Sequence, residues 1–324
     1  MRPSGKTSSA NRLIFGCGYL GERVAKLWLE RGDHVSAVTR SESRPLEWAE
    51  RGLVGLWTIG ADVTRPETLD GLTSNRGWWQ GDEPAPDTVL VAVGYDRSAG
   101  PSIDEVYAQG FRNVLDRLPD ETGRVIYIST TGVWSSAKGG NADGDWVDEQ
   151  TTPSPTRPGG IASLAAEEAL RASRFADRGV ALRLAGIYGP GRVPMASKLA
   201  SGEPIAAPSA GPLNLIHVDD AAAVVAAAAD LAGDLPQVLC VSDGNPPLRL
   251  DYYHEIARLT GAPAPVFTQP PSDSPQAARA AASKQVRNDL MRQTLGIELT
   301  YPSYREGLAA ILGDANLGNR GAGG

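Results

Sequence analysis

Residues 13–25 read LIFGCGYLGERVA, and this stretch decides the predicted fold. Three apolar residues lead into Gly16, Gly18 and Gly21, and apolar residues at helical spacing follow. A strand, a glycine turn and a helix in this order are typical of a dinucleotide-binding unit, in which the helix N-terminus faces the pyrophosphate. Tyr19 and Leu20 complete the loop. The alternative is an ordinary surface turn, but the position between a strand and a helix favours binding.

The composition indicates a globular protein and argues against some classes of partner. The chain has 324 residues, 41% of them hydrophobic, and a formal net charge of −7. This length suits a large α/β domain plus a smaller one, and the negative charge argues against nucleic acid and membrane as partners. Two cysteines and three scattered histidines make neither a disulfide framework nor a metal site, so we expect a cytoplasmic protein without a metal. The sequence does not determine the oligomeric state, and a homodimer is one possibility.

Apolar segments of strand length alternate with helical patterns over the first 130 residues. This alternation predicts an α/β fold with a doubly wound parallel sheet of Rossmann type and a smaller C-terminal substrate-binding region. Near the end of the chain, a helix is predicted for residues 277–295. The predicted division is a dinucleotide-binding domain of residues 11–185 plus 212–243, a substrate-binding region of residues 186–211 plus 244–312, and flexible termini of residues 1–10 and 313–324.

Ligands of such sheets bind at the carboxyl ends of the strands. The residues at these ends are therefore the predicted cofactor contacts. They are Gly16, Gly18, Tyr19, Leu20, Gly21, Thr39, Arg40, Asp62, Val63, Val93, Gly94, Tyr95 and Ser129.

Arg40 bears on the choice of cofactor. At the end of the second strand, an NAD enzyme usually carries an acid for the ribose 2′-hydroxyl, whereas NADP enzymes place a cation there. Thr39 and Arg40 occupy this end, so NADP is preferred over NAD; the alternative is a solvated arginine. Asp62 and Val63 leave the third strand, where they could contact the adenine, or Asp62 could instead cap a helix.

Five further segments carry a family resemblance. Together with the glycine loop, they resemble the extended short-chain dehydrogenase/reductases, the superfamily of NAD-dependent epimerases and dehydratases. The segments are YISTTGVW at 127–134, LAAEEAL at 164–170, LRLAGIYGPG at 182–191, LIHVDDA at 215–221 and YPSYREGL at 301–308.

The resemblance implies a proton relay that this chain lacks. In that family a Ser or Thr after the fifth strand works with a Tyr-x-x-x-Lys pair on the next helix. The hydroxyl residue corresponds to Thr130, the catalytic candidate, but the tyrosine position holds Gly159 and the lysine position holds Ser163. No Tyr-x-x-x-Lys occurs anywhere in the chain. The pattern resembles the atypical branch of the superfamily without the tyrosine, so Tyr95, Thr130, Ser163 or a water stay open as proton donors.

The segment from Ala185 through Gly186 to Ile187 is also expected to pass beside the nicotinamide. On the substrate side we expect Tyr95, Arg192 and His217, although a lone arginine after a glycine turn is about as often merely exposed. The predicted function is an NAD(P)-binding oxidoreductase, epimerase or dehydratase that acts on a carbonyl or sugar-like substrate by a non-standard proton path. The alternative is a catalytically weak NADP(H)-binding sensor.

Overall fold

A computed structural model describes residues 9–72, 85–135, 145–271, 274 and 283–320. Its strands are β1 (Asn11–Phe15), β2 (His34–Thr39), β3 (Trp57–Gly60), β4 (Thr88–Val91), β5 (Arg124–Thr130), β6 (Asp145–Val147), β7 (Gly179–Leu184), β8 (Gly186–Tyr188), β9 (Ile205–Ala206), β10 (Leu215–His217), β11 (Val238–Val241), β12 (Phe267–Thr268) and β13 (Lys284–Val286). Its α-helices are α1 (Gly21–Glu30), α2 (Arg44–Glu50), α3 (Gly110–Arg117), α4 (Pro158–Ala172), α5 (Ala196–Ala200), α6 (Val218–Asp230), α7 (Arg249–Thr260), α8 (Asp289–Leu295) and α9 (Tyr304–Arg320).

Seven of the strands form one sheet in the order β11-β7-β5-β4-β1-β2-β3. The pairs β1–β2, β1–β4, β2–β3 and β4–β5 are parallel, with Phe15 opposite both Val38 and Val91. The strand order changes direction at β1, which is the topological switch point where such sheets bind ligands. The predicted Rossmann-type parallel sheet is thereby confirmed.

The sheet forms because its central strands carry apolar runs, Leu13–Phe15 in β1 and Val89–Val91 in β4. Every residue of β1 and β4 is buried, as is typical of parallel strands that are covered on both faces. Helix α1 packs by burying Val24, Ala25 and Trp28. The buried Arg12 of β1 is matched by charge, because it pairs with Asp33 at 2.9 Å and with Asp230 at 2.5 Å.

By its internal contacts the chain divides into two units. The first comprises Met1–Ser129, Ala162–Leu182 and Val225–Gln237, and the second comprises Thr130–Ile161, Arg183–Val224 and Val238–Gly324. The second unit contains the parallel pairs β8–β10, β9–β12 and β6–β13 and a core rich in tyrosine, with Tyr188, Tyr252, Tyr253 and Tyr304. The domain division made from the sequence stays a prediction.

The helix predicted for residues 277–295 is wrong at Lys284–Val286 and confirmed at Asp289–Leu295. Lys284–Val286 forms strand β13, and only Asp289–Leu295 is helical; residues 277–282 lie outside the described residues. Helix α9 ends at Arg320, within the segment 313–324, whose flexibility stays a prediction. In the described parts of the chain, no helix has the length and apolarity to cross a membrane, and no group of His, Cys, Asp and Glu could hold a metal ion.

Candidate functional site

Two glycines of the glycine loop are required by packing. Gly16 has a φ of +86°, and a Cβ on it would lie 2.4 Å from the carbonyl oxygen of Ala92. A Cβ on Gly21 would lie 2.6 Å from the carbonyl oxygen of Gly16. Both distances are far inside van der Waals contact, so the turn from β1 into α1 can close only with glycine at these positions.

Gly18 differs, because a Cβ there would have no protein atom within 4 Å. Packing therefore does not explain this glycine, whereas a ligand that approaches the bare backbone would. Helix α1 starts three residues later, and the side chain of Leu20 at its N-cap accepts no hydrogen bond. An uncapped helix N-terminus behind an open glycine is the arrangement that holds a pyrophosphate. The loop thus fits a bound dinucleotide.

The end of β2 brings a second cation that the sequence analysis missed. Arg40 is exposed and pairs with Asp96 at 3.5 Å. Arg44 starts α2. Burial, and secondarily the charge of Glu22, raise the pKa of the Cys17 thiol in the glycine loop to about 12, and the guanidinium of Arg44 opposes this rise. One turn later, the indole of Trp48 donates a hydrogen bond of 3.1 Å to the Cys17 carbonyl. This bond fixes α2 on the loop and keeps Arg44 near it. The sequence feature that could have revealed Arg44 is its position four residues before Trp48, which puts both side chains on one face of α2.

Asp62 and Val63 follow β3, and both have partners within the first unit. The carboxylate of Asp62 accepts hydrogen bonds from the backbone and the hydroxyl of Thr64 at 2.9 and 2.8 Å, so it caps its own turn. Val63 is buried, and its Cγ2 would lie 2.8 Å from a Cβ on Gly110. Asn113 donates a hydrogen bond of 2.9 Å to the Val63 carbonyl. Gly110 and Asn113 of α3 thus hold the segment predicted to face the adenine.

Beyond β4, Val93 lies against Gly16, because a Cβ on Gly16 would be 2.5 Å from the backbone nitrogen of Val93. Gly94 is again open, since a Cβ on it would have no protein atom within 4 Å. The ring of Tyr95 lies 6.4 Å from that of Tyr107, edge to face. Tyr107 is part of a π-helical turn, Glu105–Gln109, a feature frequent at functional sites.

Ser163, which the resemblance implies stands at the lysine position of the relay, is part of a buried polar cluster in the first unit. Ser163 is 2% exposed and hydrogen-bonds the hydroxyl of Tyr127, whose pKa burial raises above its usual range. One turn along α4, Glu167 is 1% exposed and accepts a hydrogen bond of 2.5 Å from the hydroxyl of Ser129. The Ser129 hydroxyl is therefore engaged by Glu167. The cluster joins β5 to α4 by hydrogen bonds.

In the second unit, Thr130 ends β5 and is partly accessible. Its hydroxyl oxygen accepts a hydrogen bond of 3.0 Å from the backbone of Gly132, which leaves its own proton available to donate. A Cβ on Gly132 would lie 3.2 Å from this oxygen and 3.4 Å from an Nη2 of Arg157. A Cβ on Gly160 would lie 2.2 Å from the Gly132 carbonyl. The start of α4, next to Gly159, therefore touches the turn that follows Thr130.

The other predicted contacts of the second unit differ in burial: Ala185 and His217 are buried, Ile187 is half-buried, and Gly186 is exposed. Gly186 and Ile187 lie in β8, beside Leu215 and Ile216 of β10, and Ala185 precedes them. His217 is 1% exposed, with its ring 3.9 Å from that of Tyr301. Arg192 is exposed.

The family motifs of this unit hold one another in place. The carboxylate of Asp220 accepts hydrogen bonds from the backbone of Thr300 and Tyr301 at 2.8 and 2.9 Å. A Cβ on Gly307 would lie 2.0 Å from the hydroxyl oxygen of Tyr188. Segments 182–191, 215–221 and 301–308 thus form an interlocked framework.

The chain also resembles known proteins over most of its length. A model of the NAD dependent epimerase/dehydratase family matches residues 13–240. A protein of a Streptomyces species named 3-diazoavenalumate denitrifying reductase is 31% identical over 90% of this chain and 96% of its own. Protein YeeZ of Escherichia coli K12 is 27% identical over 89% of this chain and 95% of its own. The solved structure of the Bordetella bronchiseptica enzyme WbmG with NAD and UDP covers 96% of both chains with a TM-score of 0.74; at 17% identity it shows the fold alone.

Proposed function

Because the chain belongs to the NAD dependent epimerase/dehydratase family, we propose that it is an NADP(H)-dependent reductase that works without the Tyr-x-x-x-Lys relay. The observation that carries this proposal is the glycine loop. Gly16 and Gly21 are fixed by packing, whereas Gly18 between them faces open space at the start of α1. A relative that is 31% identical over most of the chain is named a reductase, which supports the reaction class.

The preference for NADP rests on the two cations near the second strand and the glycine loop. Among the residues that the structure describes, Arg40 is held only by a loose, exposed pair with Asp96, which a 2′-phosphate could replace. Arg44 is half-exposed and bonds Glu47 at 2.9 Å, so it too could turn to a phosphate. Two charge-assisted contacts of about 1.5–3 kcal/mol each would discriminate strongly for the phosphorylated cofactor.

Substitution of these arginines tests the preference. Arg40→Ala and Arg44→Ala should each weaken NADPH binding by about tenfold or more and leave NADH binding nearly unchanged, because each removes a contact of at least roughly 1.4 kcal/mol. Arg65→Ala is the matched control, since Arg65 is exposed and paired with Glu67. Titration of each variant with both cofactors, followed by nicotinamide fluorescence, measures the effect. Equal losses for NADPH and NADH would exclude the NADP assignment.

The proton path follows from what residues 130 and 163 can do. Ser163 is buried and bonded to Tyr127, so it orders α4 rather than reaching a substrate. Thr130 can donate one hydrogen bond and so orient an oxygen or nitrogen of the substrate. When bound, the cofactor supplies a hydride. Absence of a general acid costs about 10²–10⁴ in rate when an oxygen must be protonated, so this site suits an acceptor that requires no such proton.

Diazonium ions are acceptors of that kind, and the name of the Streptomyces relative specifies a diazo compound that loses nitrogen. When a carbon bearing a diazonium group takes up a hydride, the C–N bond breaks, its electron pair leaves with dinitrogen, and no oxyanion remains. We therefore include diazo substrates beside carbonyl and sugar-like ones for this chain.

The decisive assay follows the reduced-nicotinamide absorbance of NADPH with the purified protein and a panel of aldehydes, nucleotide sugars and diazonium compounds. A reductase should oxidise NADPH with at least one class and release one dinitrogen per NADPH with a diazonium compound. The second candidate is an NADP(H)-binding sensor, which the loss of both relay residues favours. Tight NADPH binding with no turnover across the panel would replace the reductase by the sensor.

A further inference from the structure

Lys284 is a buried lysine whose ammonium is held by a carbonyl group. It begins β13, is 5% exposed, and its Nζ donates a hydrogen bond of 2.6 Å to the carbonyl oxygen of Trp134. Within the described residues, no carboxylate forms an ion pair with this ammonium, and none contributes to the shift of its pKa. Lysines are almost never fully buried unless they are paired, so this burial requires an explanation.

The backbone around Lys284 is held firmly, and the lysine charge contributes nothing to that hold. The side-chain amide of Asn214 donates to the Lys284 carbonyl at 2.8 Å and accepts from the backbone of Val286 at 2.7 Å. The hydroxyl of Ser242 donates to the Val286 carbonyl at 3.0 Å. Because these bonds fix β13 by themselves, an apolar side chain at residue 284 would satisfy the fold.

A second cation lies at the same turn of the second unit. Arg157 places an Nη2 3.4 Å from the position of a Gly132 Cβ, and the hydroxyl oxygen of Thr130 is 3.2 Å from that same point. Lys284 bonds the Trp134 carbonyl, two residues further along. Burial, and secondarily the charge of Arg157, lower the pKa of Lys284 from 10.5 to about 8. Two positive groups thus converge on residues 132–134 and repel each other.

We propose that Lys284 and Arg157 bind an anionic group of the substrate, a carboxylate or a phosphate, next to the Thr130 hydroxyl. An anion between the two cations would replace their repulsion by two charge-assisted hydrogen bonds. It would accept from the ammonium protons of Lys284 that do not bond the Trp134 carbonyl. The identity of the anion as part of the substrate rests on the proposed reductase function; the binding of an anion at Lys284 does not.

The test measures the lysine directly in the full chain, with and without saturating NADPH. Lysine labelled with ¹³C at Cε gives one signal per residue, and Lys284 is identified by titration near pH 8. Sodium acetate and inorganic phosphate are then added separately. A bound anion favours the charged form, so the pKa of Lys284 should rise by roughly one unit or more with at least one of them. The stronger of the two identifies the substrate as a carboxylate or a phosphate ester.

Two variants complete the experiment. Lys284→Met should weaken binding of the effective anion at least tenfold and leave NADPH binding unchanged, whereas Lys198→Met, at an exposed lysine of the same unit, should change neither. If neither anion moves the Lys284 pKa at saturating concentration in the wild-type protein, the proposal is wrong, whether or not the variants fold. Phosphate that binds only near Arg40 leaves the Lys284 signal unmoved, and together with no response to acetate this result overturns the proposal. Failure of NADPH to bind would overturn the proposed function and leave the anion titration decisive on its own.

Discussion

Replacement of Lys284 by methionine should change the stability of the protein in a pH-dependent way. The folded state holds the proton of Lys284 less firmly than the unfolded chain, because burial and Arg157 lower its pKa from 10.5 to about 8. Between these two pH values the unfolded chain binds more protons, so the free energy of unfolding rises with pH there. At about 1.36 kcal/mol per pKa unit, the rise amounts to about 3 kcal/mol.

Lys284→Met removes this dependence. Urea unfolding of the wild type and the variant at several pH values from about 7 to 10.5 measures it as the difference in the free energy of unfolding. Relative to the variant, the wild type should gain about 3 kcal/mol across the window. At pH 7 the variant escapes the cost of the buried charge but leaves the Trp134 carbonyl without its donor, which costs about 1–3 kcal/mol, so the two stabilities should lie close together. Lys198→Met should track the wild type. A pH-independent difference for Lys284→Met would refute a buried, shifted lysine.

Two other sites give sharp expectations. Gly18→Ala should leave the free energy of unfolding within about 0.5 kcal/mol of the wild-type value and weaken NADPH binding about tenfold or more. Gly21→Ala should instead destabilise the fold by about 1–3 kcal/mol, because its Cβ meets the Gly16 carbonyl. Urea unfolding and cofactor titration separate the two effects, and equal stability losses would contradict the open space at Gly18. Burial raises the pKa of Asp243 from 3.8 to about 8, so the folded state keeps a proton that the unfolded chain loses, and stability should fall by on the order of 1 kcal/mol per pH unit as pH rises through that window. Asp243→Asn should flatten the fall, and a profile identical to that of the wild type would count against a protonated Asp243.

The sequence was sufficient to predict the sheet and the glycine loop because both depend on local patterns. A short apolar strand segment, a glycine turn and helical spacing follow one another along residues 13–30, and no distant contact is needed to interpret them. The resemblance implies that Gly159 and Ser163 hold the relay positions, and this stays a prediction. It offered no reason for the burial of Ser163, which depends on the Tyr127 hydroxyl reaching α4 from β5.

What the sequence analysis missed depends on contacts between distant segments. Arg44 was unremarkable until the bond from Trp48 to the Cys17 carbonyl placed α2 on the glycine loop. Lys284 lay inside a segment interpreted as helix, since the alanines before it have high helix propensity. Its strand is fixed by a hydrogen bond from Asn214, seventy residues away in the chain, and the local sequence pattern cannot predict such a bond.

The most direct test of the central claim is a side-by-side calorimetric titration of the wild-type protein with NADPH and NADH. In the proposed function, both cofactors place their pyrophosphate in the open space at Gly18, and only NADPH carries a 2′-phosphate that Arg40 and Arg44 would bind. We predict that both bind, with NADPH at least about tenfold tighter. Binding of neither cofactor would contradict the claim that this chain is a dinucleotide-dependent enzyme.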